Sequence, residues 1–153
     1  MKTLKYLLIV LSLSVLFACA VDSNCDSLNT DFVTFGTYKL DANLQETAYA
    51  VKYDSIRSPQ TEIVFISLDT LTNIALPLSP VENRTDFYFY YENKTDTISF
   101  SYEKRVNVDS PECGIDNQFI GLDTNFQTFD SLIINNDTLK ITTNVSNIKI
   151  FIE

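Results

Sequence analysis

The sequence predicts an all-β fold, a single antiparallel β-sandwich or partly open barrel, preceded by an N-terminal lipoprotein signal peptide. From residue 32 onward, apolar and polar residues alternate with a period of two, which is typical of half-buried strands. Thr, Ile, Val, Phe and Tyr dominate the alternating segments, and polar turns separate them at short intervals. The chain has 153 residues and no internal repeat, so we expect one such domain over residues 31–153.

The clearest element is a hairpin. Residues 97–102 alternate between apolar side chains and hydroxyls, and the aromatic run 87–91 precedes them. Polar residues 92–95 separate the two segments, so we expect these four residues to form the turn.

Two tyrosines of the aromatic run are candidates for a contact surface. If Phe87, Phe89 and Tyr91 face the core, Tyr88 and Tyr90 lie on the opposite face of the strand. There they are either exposed, and able to contact a sugar or a protein, or partly buried under another element. The absence of Trp weighs against a carbohydrate surface.

The other strands follow the same alternating pattern. Pro77 cannot donate a backbone hydrogen bond, so its strand is predicted to be an edge strand or to end early. Residues 118–122 could form one turn of helix at most. The remaining strand candidates are residues 32–40, 47–56, 62–68, 71–78, 104–108, 131–134, 138–143 and 147–152.

Residues 1–18 have the pattern of a lipoprotein signal peptide. Two lysines precede an apolar run that is too short for a membrane-spanning helix, which needs about 20 residues. The run ends in Leu16-Phe17-Ala18-Cys19, a lipobox, which predicts cleavage before Cys19 and acylation of its thiol. An ordinary secretory signal cut at a neighbouring alanine is the alternative.

Cleavage before Cys19 would leave residues 19–30 as a lipid-anchored linker. Its first residues are small, polar or acidic, a composition that suits a solvated tether. We therefore expect a cell-envelope protein, held in the outer membrane by its N-terminal lipid and facing the periplasm or the cell surface.

The other two cysteines, Cys25 and Cys113, form an even pair once Cys19 carries lipid. In an oxidising compartment we expect a disulfide between them, which would stabilise the fold by about 4–5 kcal/mol on the loop-entropy model. Two free thiols, or a catalytic thiol, are the alternative. Because the chain has no histidine, no obvious group would activate a thiolate.

Composition excludes several functions. With 11 basic and 20 acidic residues, the net charge is −9, which disfavours nucleic acid as a partner. The lack of histidine rules out His-based catalysis and His metal ligands. With only three glycines, no glycine-rich phosphate-binding loop can be written, and we predict no cofactor.

Carboxylates are the remaining candidates for catalysis or metal binding. Asp109, Glu112 and Asp116 could supply oxygens to a weak Ca²⁺ site. A solvated acidic loop is the favoured interpretation, so we predict neither a metal site nor a catalytic residue.

A recurring Asp-Ser/Thr-aliphatic motif resembles the acceptor motif for O-glycosylation in the envelope of Bacteroidota. The alternative is structural, because Asp closes turns and the residues after it can start a strand. The candidate acceptors are Ser27, Ser55, Thr70, Thr97, Ser131 and Thr138.

One layout of short motifs runs through most of residues 19–153. It consists of the lipobox cysteine with a second cysteine soon after, Leu76-Pro77-Leu78, the aromatic strand, the Asp-Thr-aliphatic strand with Tyr102, Ser110, Cys113-Gly114 and the end Asn147-Ile148-Lys149-Ile150-Phe151. This layout resembles a family of small Bacteroidota envelope lipoproteins that is classed as a domain of unknown function. The resemblance implies a β-rich envelope lipoprotein with a disulfide, and it implies no catalytic residue.

These observations favour a non-enzymatic binding module for an envelope protein or glycan. A structural or assembly accessory subunit of an outer-membrane complex is the alternative, and a carboxylate-dependent hydrolase is the third. A binding module should show a tyrosine patch or a concavity, and an accessory subunit a flat apolar patch or an unpaired edge strand. A hydrolase should show converging carboxylates in a cleft.

Overall fold

The computed structural model describes residues 29–66, 69–110, 114–140 and 145–152, and these residues form two β-sheets and no helix. The all-β prediction is therefore confirmed. The two sheets share one core, and within the described residues they do not close into a barrel. The strands are β1 (Phe32–Leu40), β2 (Glu46–Ala48), β3 (Ser55–Ser58), β4 (Ile63–Phe65), β5 (Asn73–Pro77), β6 (Arg84–Tyr91), β7 (Lys94–Ser110), β8 (Gly114–Gln127), β9 (Ser131–Ile134) and β10 (Ile148–Phe151).

The first sheet is built around β1. One edge of β1 pairs with β10, which in turn pairs with β9. The other edge pairs first with β5 and then with β2. The β1–β10 pair is parallel, so the antiparallel prediction has one exception, where the C-terminal strand inserts beside the N-terminal one. Pro77 is the last residue of β5, and within the described residues β5 pairs only with β1, which confirms the prediction of an edge strand.

The second sheet has the order β4-β3-β6-β7-β8 and is antiparallel throughout. Strands β6 and β7 form the predicted hairpin. Its turn is tighter than predicted, because Tyr91 already pairs with Lys94 and only Glu92 and Asn93 connect the strands. Both turn residues have positive φ, 48° and 60°, as a type I′ turn requires.

The core lies between the sheets and is rich in aromatic rings. Phe35 of β1 packs edge-on against Phe87 and Phe89 of β6, with ring centroids 5.6 Å apart in both pairs. Tyr53 extends the cluster, with its ring 5.6 Å from that of Phe89. Such pairs contribute about 0.5–1.5 kcal/mol each beyond the burial of their area.

Asn147 is a buried polar residue that joins two strands of the first sheet. Its Oδ1 accepts hydrogen bonds from the backbone N–H of Thr34, at 3.0 Å, and from the Thr34 hydroxyl, at 2.8 Å. The same hydroxyl accepts a bond from the backbone N–H of Asn147 at 2.9 Å. Asn147 directly precedes β10, so these bonds fix where the C-terminal strand joins β1.

Residues 118–122, where the sequence allowed one turn of helix at most, lie within β8. Phe119 and Leu122 are both buried although they are three residues apart, a spacing that a regular strand does not allow. The register of β8 on β7 shifts between these residues, and Gly121 has a φ of 64°. A β-bulge thus inserts one extra residue and turns both side chains inward.

The single strand predicted at 47–56 is also wrong, since the segment divides into β2 and β3. The backbone N–H of Tyr49 bonds to Thr37 in the first sheet, whereas that of Asp54 bonds to Tyr90 in the second. The chain crosses from one sheet to the other here. The apolar–polar alternation of residues 47–56 therefore continues from a strand of the first sheet into a strand of the second, although the two strands are separate.

The other strand predictions are confirmed in part. Residues 32–40 and 131–134 match β1 and β9, and 147–152 contains β10. Residues 104–108 lie within the longer β7. Of 138–143, the described part holds only an isolated bridge between Lys140 and Asn29. No described helix is long and apolar enough to cross a membrane.

Candidate binding groove on the second sheet

Tyr88 and Tyr90 lie on the outer face of β6, as the alternation predicts. Their neighbours Phe87, Phe89 and Tyr91 are 1%, 0% and 3% exposed and face the core. The two tyrosines are half-buried. Of the two states that the sequence left open, exposed or partly buried, the tyrosines are in the partly buried one.

The tyrosines line an open groove of about 380 Å³ across β6, β3 and β4. Register places Arg57 of β3 beside Tyr88, and Val64 of β4 beside Arg57, in one row across the sheet. The groove is lined by Arg57, Ser58, Pro59, Glu62, Ile63, Val64, Tyr88 and Tyr90. Its surface is mostly apolar and combines two phenol rings with one cation and one anion.

Arg57 is the cation of the groove. Its guanidinium lies 5.5 Å from the centre of the Tyr90 ring, a cation–π contact that orients both side chains. Neither Arg57 nor Glu62 forms an ion pair with another residue in the described part of the chain. Arg57 is thus an available positive group in a chain whose net charge is −9.

The turn that carries one wall of the groove is tied to β6 through Gln60. The Gln60 amide donates to Asp86 Oδ2 at 2.9 Å, and its carbonyl oxygen accepts the backbone N–H of Asp86 at 3.1 Å. Arg84 Nε donates to the other carboxylate oxygen at 2.9 Å. These bonds hold the β3–β4 turn, and with it Glu62, against the sheet.

Asp86 is nearly buried at this junction. Burial alone would raise the pKa of Asp86, but polar groups of Ser99, Arg84 and Gln60 around the carboxylate outweigh it and lower that pKa. Asp86 is therefore held ionised as a structural anion.

The edge of the groove is strand β4, which is apolar and exposed. Val64 and Ile66 are 56% and 65% exposed, and Ile63 is 38% exposed. Sequence reasoning placed a strand here without indicating that it would be an edge. Arg57, Gln60 and Glu62 were also missed, because only tertiary pairing brings them to the tyrosines.

The candidate glycosylation residues differ in accessibility. Thr70 and Ser131 are exposed, whereas Ser55, Thr97 and Thr138 are half-buried. Thr97 lies directly opposite Tyr88 on the neighbouring strand. Ser27 lies outside the described residues, as do Cys19, Cys25 and Cys113.

The predicted acidic loop is described only in part. Glu112 and the side chain of Asp109 lie outside the described residues. Asp116 Oδ2 accepts a hydrogen bond from the Asn29 side chain. Burial, followed by the charge of Asp116, raises the pKa of Asp31. Among the residues that the structure describes, no three Asp, Glu or Cys side chains converge as a metal site would require.

Comparison with known proteins gives one match. A family model described as a family of unknown function, DUF6452, matches residues 45–152. No curated protein matches the chain, and no solved structure does. The matched segment contains β2 to β10 and every residue that lines the groove. Because the match covers well over half of the 153 residues, the chain belongs to DUF6452, a family of unknown function.

Proposed function

We propose that this protein is a lipid-anchored, non-enzymatic binding module of the cell envelope, which holds an envelope protein or glycan in the tyrosine groove. The observation that carries the proposal is the open groove with Tyr88 and Tyr90 in its surface. Tyrosine offers an apolar ring for stacking and a hydroxyl for hydrogen bonding, which suits both peptide and sugar partners. Arg57 adds a directional cation beside the rings.

The anchor of this module is the acylated Cys19 of the lipobox, in the outer membrane of a member of the Bacteroidota. The tether is fastened by a disulfide between Cys25 and Cys113. A contact near these cysteines supports the pairing. Asn29, four residues after Cys25, hydrogen-bonds to Asp116, three residues after Cys113.

Binding at the groove is tested with Tyr88→Ala/Tyr90→Ala. The matched control is Tyr49→Ala, which removes a half-buried tyrosine that also bears a cation, with Lys39 Nζ 3.9 Å from its ring centre. The probes are purified peptidoglycan, purified lipopolysaccharide and crosslinking to the proteins of native outer membranes. We expect the double variant to lose tenfold or more of its binding to one probe while the control keeps it. Equal binding by the double variant and the wild type would overturn the proposal.

The anchor is tested separately by mass spectrometry of the mature protein. We expect an acylated N-terminal Cys19 in the wild type and release from membranes in Cys19→Ala. A soluble wild-type protein that begins at another residue would contradict the anchor without bearing on the groove.

The alternative role, an accessory subunit of an outer-membrane complex, is favoured by a different observation. Within the described residues, β4 is an apolar edge strand that pairs with β3 on one side and with no strand on the other. Mild crosslinking of tagged protein in native membranes tests this role. One partner recovered in a fixed ratio, and lost with Val64→Lys but not with the tyrosine variant, would support the accessory role.

A further inference from the structure

Strand β4 is an apolar edge strand whose outer side is open. Among the described residues, its backbone bonds only to β3, and its sequence Ile63-Val64-Phe65 contains neither charge nor proline. Natural edge strands are protected by short length, charged side chains, prolines or bulges, because an unpaired apolar edge pairs with other chains. Short length, three residues, is the only one of these that β4 shows, so the edge can accept another strand.

The charges around β4 indicate what that occupant is. Arg57 lies beside Val64 on the outer face, and Glu62 lies two residues before Val64 on the chain. The two are not paired with each other in the described structure. A surface that holds one available cation and one available anion about an apolar strand is complementary to a copy of itself.

We propose that β4 pairs antiparallel with β4 of a second copy, about a two-fold axis at Val64. The pairing sets Ile63 opposite the partner's Phe65. It joins the second sheet of one copy to the second sheet of the other, so that the two form one continuous sheet. It brings Arg57 of each copy to the partner's Glu62, so the same ion pair forms twice.

Strand spacing makes this ion pair geometrically reasonable. In this register the partner's Glu62 stands opposite Ile66, about 12 Å from Arg57 between Cα atoms, given about 4.8 Å between strands and 3.4 Å per residue. Extended arginine and glutamate side chains together span such a distance. To reach the partner's Glu62, Arg57 leaves the Tyr90 ring of β6, which lies on the side of β3 away from β4.

The dimer goes beyond the proposed function and does not depend on it, although its interface shares Arg57, Glu62 and Val64 with the wall of the groove. Tyr88 and Tyr90 lie on β6, two strands away from the new interface, so both copies present their tyrosines on one joined face. A three-residue strand buries little area, so the dimer should be reversible. The net charge of −9 on each copy opposes association but is screened beyond about 8 Å at physiological salt.

The test is sedimentation equilibrium of the purified full-length protein in density-matched detergent. We expect a concentration-dependent monomer–dimer equilibrium for the wild type. Val64→Lys places two lysines against each other at the axis and should raise the dimer dissociation constant tenfold or more. The matched control is Ile133→Lys, an exposed apolar position on β9, the edge strand of the other sheet, and it should leave the equilibrium unchanged.

Charge-reversal variants test whether Arg57 of one copy pairs with Glu62 of the other. Arg57→Glu and Glu62→Arg should each weaken self-association tenfold or more, because each variant brings like charges together. An equimolar mixture of the two should form a heterodimer as tight as the wild type, since both ion pairs are then restored. A monomeric wild type, a dimer insensitive to Val64→Lys, or a mixture that does not associate would overturn the proposal. In the first case the edge would belong to a different chain.

Discussion

At the scale of single residues, Asp86 is the clearest case of a charge that the fold requires. It lies at the junction of β6 with the β3–β4 turn and binds both Gln60 and Arg84. Removing a partner from such a buried group leaves polar atoms unsatisfied, at a cost of about 1–3 kcal/mol. The residue stabilises the groove without facing a ligand.

The lowered pKa of Asp86 predicts how its contribution depends on pH. The native state binds this proton less readily than the unfolded chain, so the stabilisation is present above the unfolded pKa of about 3.9. It is lost as the pH falls through the native pKa of Asp86. We expect Asp86→Asn to be less stable than the wild type at pH 7, and the difference to shrink towards pH 3.

Urea unfolding of both proteins at several pH values measures this difference. The comparison cancels the other 19 of the 20 acidic residues, which titrate in both proteins. Asp130→Asn, on the exposed loop before β9, is the matched Asp-to-Asn control. A difference that grows as the pH falls would contradict the assignment of Asp86 as an ionised structural anion.

At the scale of elements, the bulge in β8 interrupts the regular alternation of the strand. Gly121 occupies the left-handed region at φ 64°, and a Cβ added there would meet no atom within 4 Å. A side chain at this position is therefore disfavoured by backbone conformation alone, at about 1–2 kcal/mol. At Gly36 crowding, rather than backbone conformation, excludes a side chain. An added Cβ would lie 2.6 Å from the Ser146 hydroxyl and 2.8 Å from the Tyr38 ring.

Substitution of Gly121 distinguishes conformational strain from crowding. We expect Gly121→Val to lower the free energy of unfolding by about 1–2 kcal/mol and Gly121→Asn to lower it less, because asparagine tolerates the left-handed region. Chemical denaturation of the two variants measures the order. Equal losses for Asn and Val would show that the bulge does not depend on the backbone conformation of residue 121.

The same bulge shows why some elements could be predicted from the sequence and others could not. Alternation places β1, β9 and the β6–β7 hairpin correctly, because each lies in one sheet with one face to the core. It fails at Phe119 and Leu122, where an inserted residue imitates a helical spacing, and at 47–56, where one segment serves two sheets. Tyr88 and Tyr90 follow from the same alternation. Arg57 and Glu62 do not, since strand order rather than local sequence places them beside the tyrosines.

At the scale of the whole molecule, the long β7–β8 ribbon defines two ends. Asn29, where the described chain begins, bonds to Asp116 near the start of β8. The turn at Glu92 and Asn93 marks the opposite end of β7. The 17 residues of β7 span about 55 Å at about 3.3 Å per residue. Tyr88 and Tyr90 pair with Thr97 and Thr95, near the turn end.

This arrangement predicts the orientation of an anchored protein. If Cys19 carries the lipid, the end with Asn29 and Asp116 faces the membrane and the tyrosine groove points away from it. Energy transfer from a donor on the protein to acceptor lipids in vesicles measures the distance. We expect strong transfer from a donor at Val108→Cys and little from one at Asn93→Cys, because the two sites lie about 50 Å apart along β7.

Both positions are exposed, so labelling should leave the fold intact, and each labelled protein serves as the control for the other. Equal transfer from both sites would indicate that the molecule lies flat on the membrane, with its groove close to the lipid surface. In that case a partner would have to approach along the membrane plane. A partner that approaches from farther out instead requires the upright orientation, in which the half-buried tyrosines stand farthest from the lipid surface.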